Sequence, residues 1–106
     1  SDELLKAREQ VRKNPNDAIA HKILGLAYYK QDRNDEAIAE YKKAIRIDPY
    51  VYMVHTVLGI SYYKLGQYLE AIASYKEAIR IKPDYANAHF IPCTKRVKFN
   101  MGTGLQ

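Results

Sequence analysis

The 106-residue chain holds one cysteine and no tryptophan, and its 4 prolines and 5 glycines are few. Cys93 has no second thiol to pair with, so no internal disulfide holds the fold. A reducing, cytoplasmic setting is the expected one. No run of about 18 apolar residues occurs, which excludes a membrane-spanning helix. The first 15 residues are charged throughout and do not read as a secretory leader. Acidic residues stop at Asp84, and setting aside Lys95, Arg96 and Lys98 lowers the formal net charge from +5 to +2. The basic balance therefore belongs to the tail, whereas a nucleic-acid interface needs a basic stripe on one face of a domain. Neither a Gly-rich phosphate loop ahead of a helix nor a His-Glu-x-x-His pair is present. Cys93 has one near histidine, His89, which lies ahead of Pro92, and it reads as a plain thiol. No enzyme is expected, and no cofactor.

What the chain does have is repetition. Residues 18–51 and 52–85 align without a gap at a spacing of 34 and agree at 17 of 34 positions. A fixed period of this size marks a solenoid, in which each unit leaves an apolar face for its neighbour to cover. With 47% hydrophobic and 27% charged residues the chain is ordinary for one small folded domain.

Within each unit the apolar residues recur at helical intervals. Ile19, Ile23, Leu24, Ala27 and Tyr28 form one stretch, the polar segment from Gln31 to Asp35 breaks it, and Ala37, Ile38, Tyr41, Ala44 and Ile45 form a second. Pro49 ends the unit, because proline cannot continue a helix and biases the residue before it out of helical dihedrals. The second unit repeats this with Val57, Leu58 and Tyr62, a turn at Gly66, then Ala71, Ile72, Tyr75, Ala78, Ile79 and Pro83. Residues 1–17 read as a half unit, 18–51 and 52–85 as full units, and 86–91 as a truncated third. At Pro92 and Cys93 the register fails. The tail 92–106 alternates Val97, Phe99 and Met101 with Lys98 and Asn100, a period of two that predicts an extended basic segment. It is expected either to pack on the flank of the last helix or a neighbouring molecule, or to be foreign to the domain.

These units resemble tetratricopeptide repeats. The likeness rests on Leu24-Gly25, Tyr28, Ala37, Tyr41, Ala44 and Pro49, and on Leu58-Gly59, Tyr62, Gly66, Ala71, Tyr75, Ala78 and Pro83. It implies an all-α, right-handed α-solenoid of about two and a half units. Gly25 and Gly59 would face Ala37 and Ala71, and Tyr41 and Tyr75 would fill the space between units. The chain departs from the family at His21, His55 and His89, where a bulky aromatic is usual, and at Asp32, where glycine is preferred.

The resemblance also implies a concave groove lined by the first helix of each unit, suited to a partner peptide or helix. Its positions are Lys22, Leu26, Tyr29 and Lys30, then Met53, Thr56, Ile60, Tyr63 and Lys64, with Phe90 beyond; Ile19 and Asn87 belong to the same rows. Three lysines and no carboxylate suit a ligand with apolar side chains and at least one acidic group. Tyr28 and Tyr62 would point into the helix pair, and Tyr29 and Tyr63 toward the ligand, as anchors that bury area at little rotamer cost. Of the family's carboxylate clamp only Lys22 matches, so binding of chaperone tails is not implied. The histidines recur at period 34, but equivalent points on neighbouring helices lie on the order of 10 Å apart, too far to share a metal. They are expected to pack, and no metal is expected. Lys42, Lys43, Arg46, Lys76 and Arg80 interleave with Glu40, Glu70 and Glu77, as on a solvated face. A single-stranded RNA-binding helical repeat is the alternative, recognisable by salt-dependent binding. Leu4, Leu5 and Val11 at one end, and Ile79 and Ile81 at the other, leave apolar surface through which copies could self-associate.

Overall fold

A computed structural model describes residues 2–84. Five helices follow one another: α1 (Asp2–Lys13), α2 (Ala18–Lys30), α3 (Asn34–Ile47), α4 (Tyr52–Lys64) and α5 (Tyr68–Ile81). The described residues are all-α, built as a helical-repeat solenoid in which α2 pairs with α3, α4 with α5, and α3 with α4. The third-unit residues, Phe90 and the tail lie outside the described residues.

The repeated sequence produces repeated helix ends. After α2, the Asp32 amide donates to the Tyr29 carbonyl at 2.9 Å and the Arg33 amide to the Tyr28 carbonyl at 2.9 Å. After α4, Gly66 donates to Tyr63 at 3.0 Å and Gln67 to Tyr62 at 2.9 Å. Both are Schellman closures, which require a left-handed residue just past the helix. Gly66 takes it at φ 76° and Asp32 at φ 62°. Asp32 thus holds the turn expected of it despite its side chain. Asp17 caps α2 by accepting the Ile19 amide at 2.9 Å.

The core runs unbroken from α1 to α4: Leu4 and Ala7 meet Leu24, Ala27 and Tyr28, which meet Ala37, Ile38 and Tyr41, which meet Val54 and Leu58. The nearest neighbour of each glycine is the tyrosine of the second helix. A Cβ on Gly25 would lie 2.7 Å from Tyr41 Cδ1, and one on Gly59 2.6 Å from Tyr75 Cε1. The tyrosine ring of the second helix occupies the space that each glycine leaves. Tyr41 is also fully buried, with its hydroxyl beside Ser61 of the next unit, so one side chain serves both the pair and the stack.

The two ends differ from the expectation too. Leu4 is buried under α2 and Val11 packs against the core, leaving Leu5 as the exposed apolar residue of α1. The larger open surface lies on α5, where Leu69 is 81%, Tyr68 57% and Ile72 42% exposed, while Ile79 and Ile81 are half-buried. No described helix is long and apolar enough to cross a membrane.

Candidate protein-interaction surface

The residues assigned to the groove fall at matching heights on α2 and α4. Leu26 and Tyr29 are half-buried and rest on the core, with Lys22 half-buried and Lys30 exposed. On α4, Ile60 is half-buried and Met53, Tyr63 and Lys64 are exposed. Thr56 is 2% exposed, and its hydroxyl donates to the Tyr52 carbonyl at 3.2 Å. Its short side chain folds back onto its own helix, so it presents no surface to a ligand, whereas Lys22 at the same register reaches solvent.

Tyrosines dominate this surface. Tyr63 packs on Tyr68 with ring centroids 5.2 Å apart and planes tilted by 56°, an arrangement favoured by the ring quadrupoles. Burial pushes the Tyr75 hydroxyl above the usual phenol range, and the nearby Tyr29 and Tyr63 phenols add to the effect. Burial pushes Tyr41 up strongly, with Tyr29 adding to it and the adjacent Ser61 hydroxyl partly offsetting it. The hydroxyls of Tyr41 and Ser61, buried beneath, make no hydrogen bond of good geometry. Tyr28 does point inward, and its hydroxyl accepts from Arg8 at 3.3–3.4 Å while Arg33 lies 4.8 Å over its ring. Tyr62 is half-buried against the core.

The charge pattern needs one correction. A carboxylate does reach this surface: Glu3 of α1 pairs with Lys30 at 2.7 Å. Lys22 and Lys64 have no carboxylate partner among the described residues. The sequence offers no signal for the Glu3 contact, which joins residues 27 apart on different helices. On the other helices, charges pair locally three residues apart: Arg12 with Glu9, Arg33 with Glu36, Lys43 with Glu40 and Arg80 with Glu77. The Arg12, Arg33 and Arg80 pairs are exposed, suit a solvated face and contribute little stability. Glu40 departs from the solvated face expected of it, since its side chain is buried between the helices of the first unit.

The histidines have a role that periodicity alone did not show. His21 Nε2 sits 2.7 Å from the Pro15 carbonyl oxygen and His55 Nε2 2.9 Å from that of Pro49. Each ring ties down the connection that leads into its own helix. The readable signal was a proline six residues before each histidine.

A tetratricopeptide repeat family model matches residues 2–52, and a TPR repeat model matches residues 59–90. The chain is a tetratricopeptide repeat protein. No curated protein sequence matches it. Among solved structures it is similar to MamA MSR-1, with 28% identity and a TM-score of 0.69 over 74% of this chain and 45% of that one. MamA AMB-1 gives 29% identity and a TM-score of 0.68 over 72% and 45%. A further crystal structure of MamA gives 27% and 0.72 over 79% and 49%. This tetratricopeptide repeat chain thus spans about half the length, 45–49%, of these MamA structures. Membership in the family supports a protein–protein interaction scaffold.

Proposed function

We propose that this chain is a non-catalytic, cytoplasmic interaction module that holds a partner peptide or helix along α2 and α4. The observation that carries the reading is the row of Leu26, Tyr29, Ile60 and Tyr63 on two adjacent helices, flanked by Lys22 and Lys64, which have no carboxylate partner among the described residues. Leu26 and Tyr29, half-buried against the packed core, supply contact area without a large ordering cost, and the exposed Tyr63 ring adds to it. The Lys22 and Lys64 ammonium groups select for a ligand carrying an acid. Met53 and Lys30 extend the surface at its two ends, with Lys30 partly neutralised by Glu3. Phe90 remains part of the proposal from register alone. Single-stranded RNA has less to bind, because the charges of α3 and α5 include local opposite-sign pairs rather than one basic stripe.

A peptide library selected on the intact chain tests this. Recovered peptides are expected to combine apolar side chains with at least one Asp or Glu. Tyr63→Ala should weaken them by about tenfold or more, the loss typical of an aromatic anchor, with helicity unchanged. Equal binding by Tyr63→Ala would place the ligand elsewhere.

A second reading comes from the open face of α5. Helices α3 and α5 agree at 10 of 14 positions, yet Ile38 is 8% exposed under α4 while its counterpart Ile72 is 42% exposed. Self-association through that end would cover it. Sedimentation of the wild type against Leu69→Lys is expected to show a concentration-dependent oligomer that the variant loses; monomers for both rule it out.

A further inference from the structure

Helix α5 repeats a surface that the chain itself shows how to cover. In the first unit Ile38, Tyr41 and Lys42 lie along one side of α3, and α4 packs there with Val54, Leu58 and Tyr62. Lys42 Nζ stands 5.9 Å from the centre of the Tyr62 ring. The α1–α2 contact is built alike: Leu4 and Ala7 meet Leu24, and the Arg8 guanidinium stands 5.9 Å from the centre of the Tyr28 ring. Twice, then, a cation on one helix faces a tyrosine on the next, and each tyrosine follows a buried leucine by one helical turn. Cation–π attraction adds to the apolar burial at such a contact.

The same residues recur on α5 without the cover. Ile72, Tyr75 and Lys76 occupy the places of Ile38, Tyr41 and Lys42. Ile72 is exposed where Ile38 is buried, and Lys76 has neither ring nor carboxylate against it among the described residues. The chain's own next stretch does not match the missing helix. In register with Leu58, Ser61 and Tyr62 stand Pro92, Lys95 and Arg96. Proline breaks a helix interior, and Arg96 would set a second cation where Lys76 takes a ring.

We propose that the α5 face docks a helix of a partner protein with the pattern of α4: an apolar residue, a leucine and an aromatic ring, spaced as Val54, Leu58 and Tyr62 are. The apolar pair covers Ile72 and Tyr75, and the ring lies against Lys76. This surface is separate from the row along α2 and α4. A second copy packed on α5 would compete with the helix for it.

A fluorescently labelled peptide of residues 52–64, which carries Val54, Leu58 and Tyr62, tests this by anisotropy with the intact chain. Saturable binding is expected, weakened about tenfold by Tyr62→Ala in the peptide and about threefold by Lys76→Ala in the chain. Ile72→Asp in the chain should abolish it, while the acidic and apolar peptides selected on the groove still bind. Leu69→Lys should leave it within about twofold, because the counterpart Asp35 stays exposed although α4 covers α3. That variant disrupts self-association, so the two readings fail separately. Binding that Ile72→Asp and Lys76→Ala both reduce supports the proposal. No binding by the intact chain, whether a second copy or the chain's own tail holds the face, overturns it. Binding that Ile72→Asp leaves unchanged overturns it as well.

Discussion

Gly25 shows how much one absent methyl group can matter. Its missing side chain is occupied by the Tyr41 ring, which is fully buried and cannot swing to solvent. Gly25→Ala is therefore expected to destabilise the chain by about 1–3 kcal/mol, the cost of overpacking a close-packed site, read from the urea midpoint. Gly66 tests a different cause, since nothing lies within 4 Å of a Cβ there. Gly66→Ala should cost about 1 kcal/mol through its left-handed backbone alone, and Asp32→Gly should be neutral to stabilising by a similar amount. The Tyr41 hydroxyl has no partner of good geometry, and burial raises it far above the phenol range. The unfolded state ionises near pH 10 while the folded state resists, so stability falls as pH rises past 10. Tyr41→Phe is expected to leave stability at pH 7 within about 1 kcal/mol and to move alkaline unfolding to higher pH.

At the scale of the element, identical residues serve differently according to the helix that covers them. Ile38 on α3 lies under α4, while Ile72 on α5 has no such cover among the described residues. Ile38→Ala should cost about 2–5 kcal/mol and Ile72→Ala well under half of that, measured in parallel denaturant titrations. The helix boundaries were legible because apolar spacing, Gly66 and the prolines all mark ends by mechanisms internal to one segment. Partners across segments were not. A helical pattern names the face of α3 that is buried but not that the Tyr41 ring is what comes nearest to Gly25. Period also predicts equal exposure for Lys22 and Thr56, yet a hydroxyl short enough to bond its own helix is drawn in and a long ammonium is not. The Glu3–Lys30 pair depends on how α1 docks, which the residue types of two separate helices do not encode. The histidine–proline bonds repeat with the period and could have been found by asking what each ring would donate to.

For the whole molecule, repetition explains both the stability and the asymmetry. Each unit covers the apolar face of the one before it, so the core is continuous from α1 to α4, and among the described residues α5 keeps Tyr68, Leu69 and Ile72 exposed. Leu26 and Tyr29 of α2 rest on that core, and Ile60 and Tyr63 stand at the same register on α4, half-buried and exposed respectively. The central claim is that a partner lies along this row, and nuclear magnetic resonance shift mapping tests it most directly. A selected acidic-apolar peptide titrated into the isotope-labelled chain should perturb the amides around Leu26, Tyr29, Ile60 and Tyr63, and leave the outer faces of α3 and α5 unmoved. Perturbations confined to α3 and α5, with α2 and α4 silent at saturation, would contradict it.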